Sequence, residues 1–99
     1  MITRIVKMTF RADKFAAFED TFYKTQPAIR NFEGCLGVEL HKDISNSSVY
    51  FTISRWESSD ALENYRASEF FKSTWTKVKP MFIERAQAWT LEHVNQESR

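Results

Sequence analysis

Three turn-rich patches, at residues 31–37, 42–48 and 57–60, fix where this chain can reverse direction. Between them the spacing of apolar residues switches from a period of about two to a period of about 3.6 and back, which leaves few architectures open. The first run, Ile2 to Phe10, is rich in β-branched residues, and Val6, Met8 and Phe10 share a parity. That pattern predicts a strand with one face in a core. From Asp13 onward, Phe15, Phe18, Phe22 and Ile29 recur at helical intervals while Lys14, Glu19, Asp20 and Lys24 occupy other faces. The spacing predicts an amphipathic helix with a largely phenylalanine face. Pro27 has no amide hydrogen to donate, so the helix is expected to stop or kink near Thr25 or Gln26.

Gly34 and Gly37 bracket the entry to a second strand, in which Leu36, Val38 and Leu40 alternate with Cys35, Glu39 and His41. The polar stretch Asp43 to Ser48 reads as a hairpin loop into a third strand, Val49 to Trp56, antiparallel to the second. There Val49, Phe51 and Ile53 point one way and Tyr50, Thr52 and Ser54 the other. Ser58 or Ser59 can cap a short helix through Ala61, Leu62 and Tyr65, and Ser68 a further one through Phe71, Trp75 and Val78, which Pro80 ends. Glu84 to Val94 sets Trp89 and Leu91 against Ala86 and Ala88 as a last strand, which gives a domain over residues 1–94 and a polar tail over 95–99.

The order β-α-β-β-α-β is the ferredoxin-like α+β pattern, a four-stranded antiparallel sheet with helices on one face. A chain of 99 residues buries about 65% of its open-chain surface on folding, enough for one core. One Cys and two His cannot staple two smaller units together. The second sheet face would be left bare, and wetting so much apolar surface costs several kcal/mol at about 25 cal/mol per Å². The expectation is a homodimer through the sheet, since isologous two-fold contacts are the commonest oligomer geometry.

Fourteen basic and thirteen acidic residues are spread evenly along the chain, so no stripe of charge is offered to nucleic acid or to an anionic membrane. Arg4 and Lys7 interrupt the N-terminus, and the longest purely apolar run, Phe15 to Phe18, is far too short to span a bilayer. A cytoplasmic location is expected.

The run Ile2 to Phe10, the Phe32-Glu33-Gly34-Cys35 turn, Trp56-Glu57-Ser58 through Ala61-Leu62, Tyr65-Arg66, Phe71 to Trp75 and Ala88-Trp89 together resemble the antibiotic biosynthesis monooxygenase (ABM) domain. These are core and turn positions covering about Met1 to His93. The resemblance implies a dimeric α/β barrel with a ligand pocket in each subunit between sheet and helices. It also implies membership of a group that includes cofactor-free oxygenases of phenolic or quinol-like substrates, haem-degrading enzymes and proteins of no known activity. The haem-degrading branch uses a His in its last helix and an Asn on its first strand. Here the segment Glu69 to Lys79 has Trp75 but no His, and the first strand has no Asn, which disfavours haem degradation. For the cofactor-free members, the nearest counterparts of their Asn, Trp and Tyr residues are Asn64, Trp75 and Tyr65.

Oxygenation without metal or flavin requires a base to ionise the substrate, donors to hold the oxyanion and an apolar wall to exclude water. Phe15, Phe18, Phe22, Phe71 and Trp75 are candidates for the wall, although a small domain needs such rings simply as core. His41 is the candidate base by type. Its parity is opposite to that of Leu36, Val38 and Leu40, so it faces away from the helices if those three face them. Arg55 is a candidate oxyanion holder, in competition with a surface pair to Glu57 or Glu84. No metal site is expected: Glu39 and His41 share a parity, but Cys35 lies about 20 Å from His41 along an extended strand. With two glycines there is no nucleotide cradle either. The expected ligand is a small aromatic molecule turned over without a cofactor. A non-catalytic ligand-binding or interaction homodimer of the same fold stands beside that reading, because a fold does not determine a function.

Overall fold

The computed structural model describes residues 1–94, so the polar tail expected at 95–99 lies outside the described residues. Alternating side chains build four strands, β1 (Ile2–Thr9), β2 (Cys35–Lys42), β3 (Val49–Trp56) and β4 (Gln87–Glu92). They pair in the order β2-β3-β1-β4, every neighbouring pair antiparallel. Three helices, α1 (Phe15–Arg30), α2 (Ser59–Arg66) and α3 (Glu69–Val78), cover one face. The fold is ferredoxin-like α+β, as the segment order predicts.

Register decides which side chains meet the helices. Val6 stands opposite Thr52 and Ala88, and Arg4 opposite Ser54 and Thr90. The even-numbered residues of β1 therefore share a face with Tyr50, Thr52, Ser54 and Trp56 of β3. That face carries the core, in which Met8, Phe18, Phe22, Ile29, Val38, Tyr50, Trp56, Leu62 and Val78 are buried around Phe10. The Phe10 ring stacks on Phe18 at 4.1 Å and meets Tyr50 edge-on at 5.5 Å, geometries that aromatic quadrupoles favour.

The helix caps follow the sequence. Ser58 Oγ accepts the Ala61 amide at 3.2 Å and Ser68 Oγ accepts the Phe71 amide at 3.1 Å, so Ser58 rather than Ser59 starts α2. The hairpin between β2 and β3 is held by Asp43 Oδ1 accepting from the Ser45 amide and Asn46 Oδ1 from the Ser48 amide. Gly34 has φ 82°, and a β-carbon there would come within 2.4 Å of the Ala61 Cβ. Only glycine lets this turn pass so close to α2.

Two local expectations give way to tertiary packing. Helix α1 continues through Pro27 to Arg30 instead of stopping near Gln26. Pro27 and Tyr23 are both exposed, so the carbonyl freed by the missing amide reaches water, while the last turn buries Ile29. Gln26 Nε2 also donates to the Val38 carbonyl at 3.0 Å, tying this turn to β2. In β2 the register shifts between Cys35 and Gly37, and Leu36 is turned out to solvent instead of aligning with Val38 and Leu40.

The other sheet face carries Ile5, Phe51, Ile53, Trp89 and Leu91, and no element among the described residues covers it. Trp89 and Leu91 are 44% and 46% exposed.

Candidate functional site

The helix-facing side of the sheet is uneven. Bulky residues stand at both ends of β3, Tyr50 beside Met8 and Trp56 beside Ile2, whereas Thr52 and Ser54 between them and Ala88 on β4 are small. Above these small residues the helices present rings, and the mismatch leaves a cavity of about 280 Å³ between the two layers. Phe18 and Phe22 reach it from α1, Leu62, Tyr65 and Arg66 from α2, and Phe71, Trp75 and Val78 from α3. On α1 and α3 these positions are three or four apart, the spacing that brings side chains onto one helical face. Phe71 and Trp75 lie nearly parallel, 6° between planes with centroids 6.2 Å apart, and Tyr65 stacks on Trp56 at 5.0 Å.

The volume is close to the lower end for small-molecule pockets, about 300 Å³, and suits a ligand of one or two rings. Among the described residues lining it there is no carboxylate, imidazole or thiol. Its ionisable groups are two guanidiniums, Arg4 and Arg66, and one phenol, Tyr65. Partial burial, and then the like charge of Arg66, pull the Arg4 pKa below its usual value, with Glu63 opposing the effect. The Tyr65 phenol is pushed up to about 12 by burial first and by the neighbouring Cys35 second. Tyr65 therefore remains a hydrogen-bond donor throughout the neutral range.

The Tyr65 shift has a consequence for stability. Its folded pKa exceeds the ordinary 10, so the contribution is fully present below pH 10 and is lost as pH rises through about 12. Two units correspond to roughly 2.7 kcal/mol. Urea unfolding followed from pH 9 to pH 12 is expected to show a decline that the Tyr65→Phe variant lacks by about that amount. Parallel pH profiles for the two proteins would contradict the assignment.

Of the residues singled out from the sequence, Phe18, Phe22, Tyr65, Phe71 and Trp75 meet at this cavity. The structure places four others elsewhere. Phe15 packs edge-on against Tyr50 at 5.9 Å, with the Lys42 ammonium 5.4 Å above its ring, in a cluster closed by Tyr50 Oη donating to Glu19. Asn64 is exposed on α2, turned away from the inward stripe of Leu62 and Tyr65. Arg55 has the parity opposite to Ser54 and Trp56 and stands exposed on the uncovered sheet face. His41 is on that face too, its Nε2 3.0 Å from Glu39 Oε1. This contact with His41 holds the Glu39 carboxyl below its ordinary pKa.

Sequence reasoning missed Arg4, Arg66, Thr52, Ser54, Thr74 and Ala88 as cavity residues. Arg4 carried a readable signal, since it shares its parity with Val6 and Met8. Arg66 follows Tyr65 directly, but only the packing of α2 shows which of the two faces inward, and both do.

Comparisons with known proteins agree with this fold. The family model described as antibiotic biosynthesis monooxygenase matches residues 1–76. A structure from Deinococcus radiodurans bearing that family name superposes with a TM-score of 0.91 at 15% identity, covering 100% of this chain and 98% of its own. One from Bordetella bronchiseptica gives 0.84 at 26% identity, covering 95% and 97%. One from Caulobacter crescentus CB15 gives 0.88 at 23% identity, covering 95% and 90%. Among curated proteins no sequence match was found. With a family match across most of its length and a fold shared end to end with these structures, the chain belongs to the antibiotic biosynthesis monooxygenase family.

Proposed function

We propose that this chain is a cofactor-independent monooxygenase that takes a small phenolic or quinol-like aromatic into the cavity between sheet and helices. The supporting observation is the cavity itself, whose helical wall is formed by Phe18, Phe22, Tyr65, Phe71 and Trp75. Flat rings stack on such a wall and shed their water there.

The electrons for O₂ must come from the ligand, which reacts as its anion. In the simplest case a methylene between two aryl groups becomes a ketone: its carbon takes one oxygen atom of O₂, and the other oxygen leaves with the two hydrogens as water. The positive potential of Arg4 and Arg66 lowers the pKa of a bound acidic ligand, so the proton can pass to solvent without a dedicated protein base. Tyr65, still protonated, supplies a donor for the resulting oxyanion.

The lack of any carboxylate or imidazole among the described lining residues favours a second reading, a ligand-binding protein with no chemistry of its own. Oxygen uptake separates the two. With an anthrone or a dihydroxynaphthalene, uptake is expected to exceed the buffer rate. The Ala88→Phe variant, which grows a ring into the cavity from β4, should lower it by about tenfold or more. Uptake no faster than buffer across a panel of such compounds removes the oxygenase reading and leaves the binding one.

In either reading the working unit is proposed to be a cytoplasmic homodimer joined through the uncovered sheet face, with no nucleic-acid or membrane partner. No helix among the described residues is long and apolar enough to cross a membrane.

A further inference from the structure

Arg4 is an unusual residue to find on a central strand facing the helices. It is half-buried, and its Nη1 donates to the Thr90 hydroxyl at 2.7 Å. No carboxylate pairs with it among the described residues. Arg66 lines the same cavity from the last turn of α2, and its Nη1 contacts both carboxylate oxygens of Glu63, at 3.0 and 3.2 Å. Two guanidiniums and one carboxylate leave this rim with an excess positive charge. The excess sits beside an otherwise apolar and aromatic space.

Without a ligand this arrangement carries a cost that Glu63 offsets only in part. Arg4 gives up part of its hydration and stands within reach of a like charge, and each of these destabilises its cationic form. Guanidinium stays protonated at any ordinary pH, so the strain cannot be relieved by losing a proton. It can be relieved by an anion. Ser54, in register with Arg4, also lines the cavity. Its Oγ accepts the Trp56 indole N–H at 2.9 Å, which leaves the hydroxyl hydrogen free to donate. Beyond the Nη1 contacts to Thr90 and Glu63, the rim thus offers the remaining N–H groups of two planar guanidiniums and one O–H donor. Planar forks of this kind match carboxylates.

We propose that the cavity selects an aromatic carboxylate, its ring held by Phe71 and Trp75 and its carboxylate at the rim between Arg4 and Arg66. The inference rests on the reading of this cavity as an aromatic-ligand site and narrows the ligand class to aromatics that also carry a carboxylate. A free phenol reaches the site neutral near pH 7, because phenols ionise near pH 10, whereas an aromatic carboxylic acid arrives already ionised. The carboxylate is a permanent handle, separate from the position that reacts.

Two probes of one shape test it, 2-naphthoate and neutral 2-naphthol, titrated into the full-length protein by calorimetry at pH 7 and low salt. The naphthoate is expected to bind about tenfold more tightly, the effect of one well-formed charge-assisted contact at a partly wet site. Arg66→Gln and Arg4→Gln should each reduce that preference to about threefold or less. Arg66 is exposed, so its variant keeps the fold even if the Arg4 variant does not. Lys24→Gln removes the same charge from the outer face of α1, where Lys24 pairs with Asp20, and should leave the preference intact. Equal affinity for the two probes, or a preference unchanged in Arg66→Gln, overturns the carboxylate inference and leaves the aromatic cavity standing. If neither probe binds, both readings fall.

Discussion

Replacing Trp56 by alanine is expected to remove most of the stability of this domain. The indole is fully buried at the end of β3, with Ile2 and Cys35 beside it on the neighbouring strands and Tyr65 stacked on its face. Truncating a buried tryptophan costs about 3–5 kcal/mol through lost transfer energy and the cavity left behind. The substitution also strips Ser54 Oγ of its buried N–H donor, a further loss of about 1 kcal/mol. Domains of this size are stable by only about 5–15 kcal/mol in total. Urea denaturation of the variant should show a midpoint near zero or no folded baseline, while Trp56→Phe, which keeps a ring against Tyr65, should lose roughly half as much. A loss under about 1 kcal/mol for the alanine variant would mean that Trp56 is not the keystone of the junction between sheet and α2.

The second large effect is expected at the opposite face. Ile5 lies at its centre, flanked in register by Ile53 on β3 and Trp89 on β4. If two subunits join there, Ile5→Glu places a carboxylate without a partner inside an apolar interface, which costs several kcal/mol. Dimer dissociation should strengthen by about 100-fold or more. The separate subunit should keep its fold, because in a lone chain this side chain faces water. Sedimentation velocity at micromolar concentration checks both points: a wild-type dimer and a folded variant at 11.7 kDa are the expected pair. A wild type that already sediments as one chain would remove the dimer, and with it any role for the apolar face as an interface.

These two experiments probe the two sides of one sheet, and the sides differ in how far sequence reasoning reached them. Trp89 and Leu91 against Ala86 and Ala88 could be separated by parity alone, but parity does not say which set faces the helices. The structure answers through pairing: Ala88 stands beside Val6, whose neighbour Met8 is buried in the core, so the small residues floor the cavity and the large ones face out. The same reasoning puts Tyr50, Thr52 and Ser54 inward and Arg55 outward, and it takes His41 and Arg55 away from the cavity that their chemistry had suggested. Side-chain type nominated them. Register placed them.

Helix α1 shows a different limit. Its inward stripe of Phe18, Phe22 and Ile29 was legible from spacing, yet Pro27 argued for an end before Ile29. Local propensity lost because the broken hydrogen bond falls on the wet side of the helix, while continuing for one more turn buries Ile29 and places Gln26 on the Val38 carbonyl. The bulge at Gly37 is similar in kind. An alternating pattern gives no warning of a residue that leaves the ladder, so Leu36 was grouped with Val38 until the pairing was known.

The amino-acid order alone determined the elements, their succession and the resulting class of fold, because hydrophobic period, capping serines and turn residues act over only a few positions along the chain. It also supplied the aromatic rings that wall the cavity, since a helix face can be read from spacing. The cavity itself, and the pairing of Arg4 with Arg66 at its rim, were decided by tertiary structure. A void exists only where small residues on the sheet come to lie beneath large ones on the helices. Two arginines 62 positions apart in sequence can share a field only after the strand register and the helix packing have brought them together.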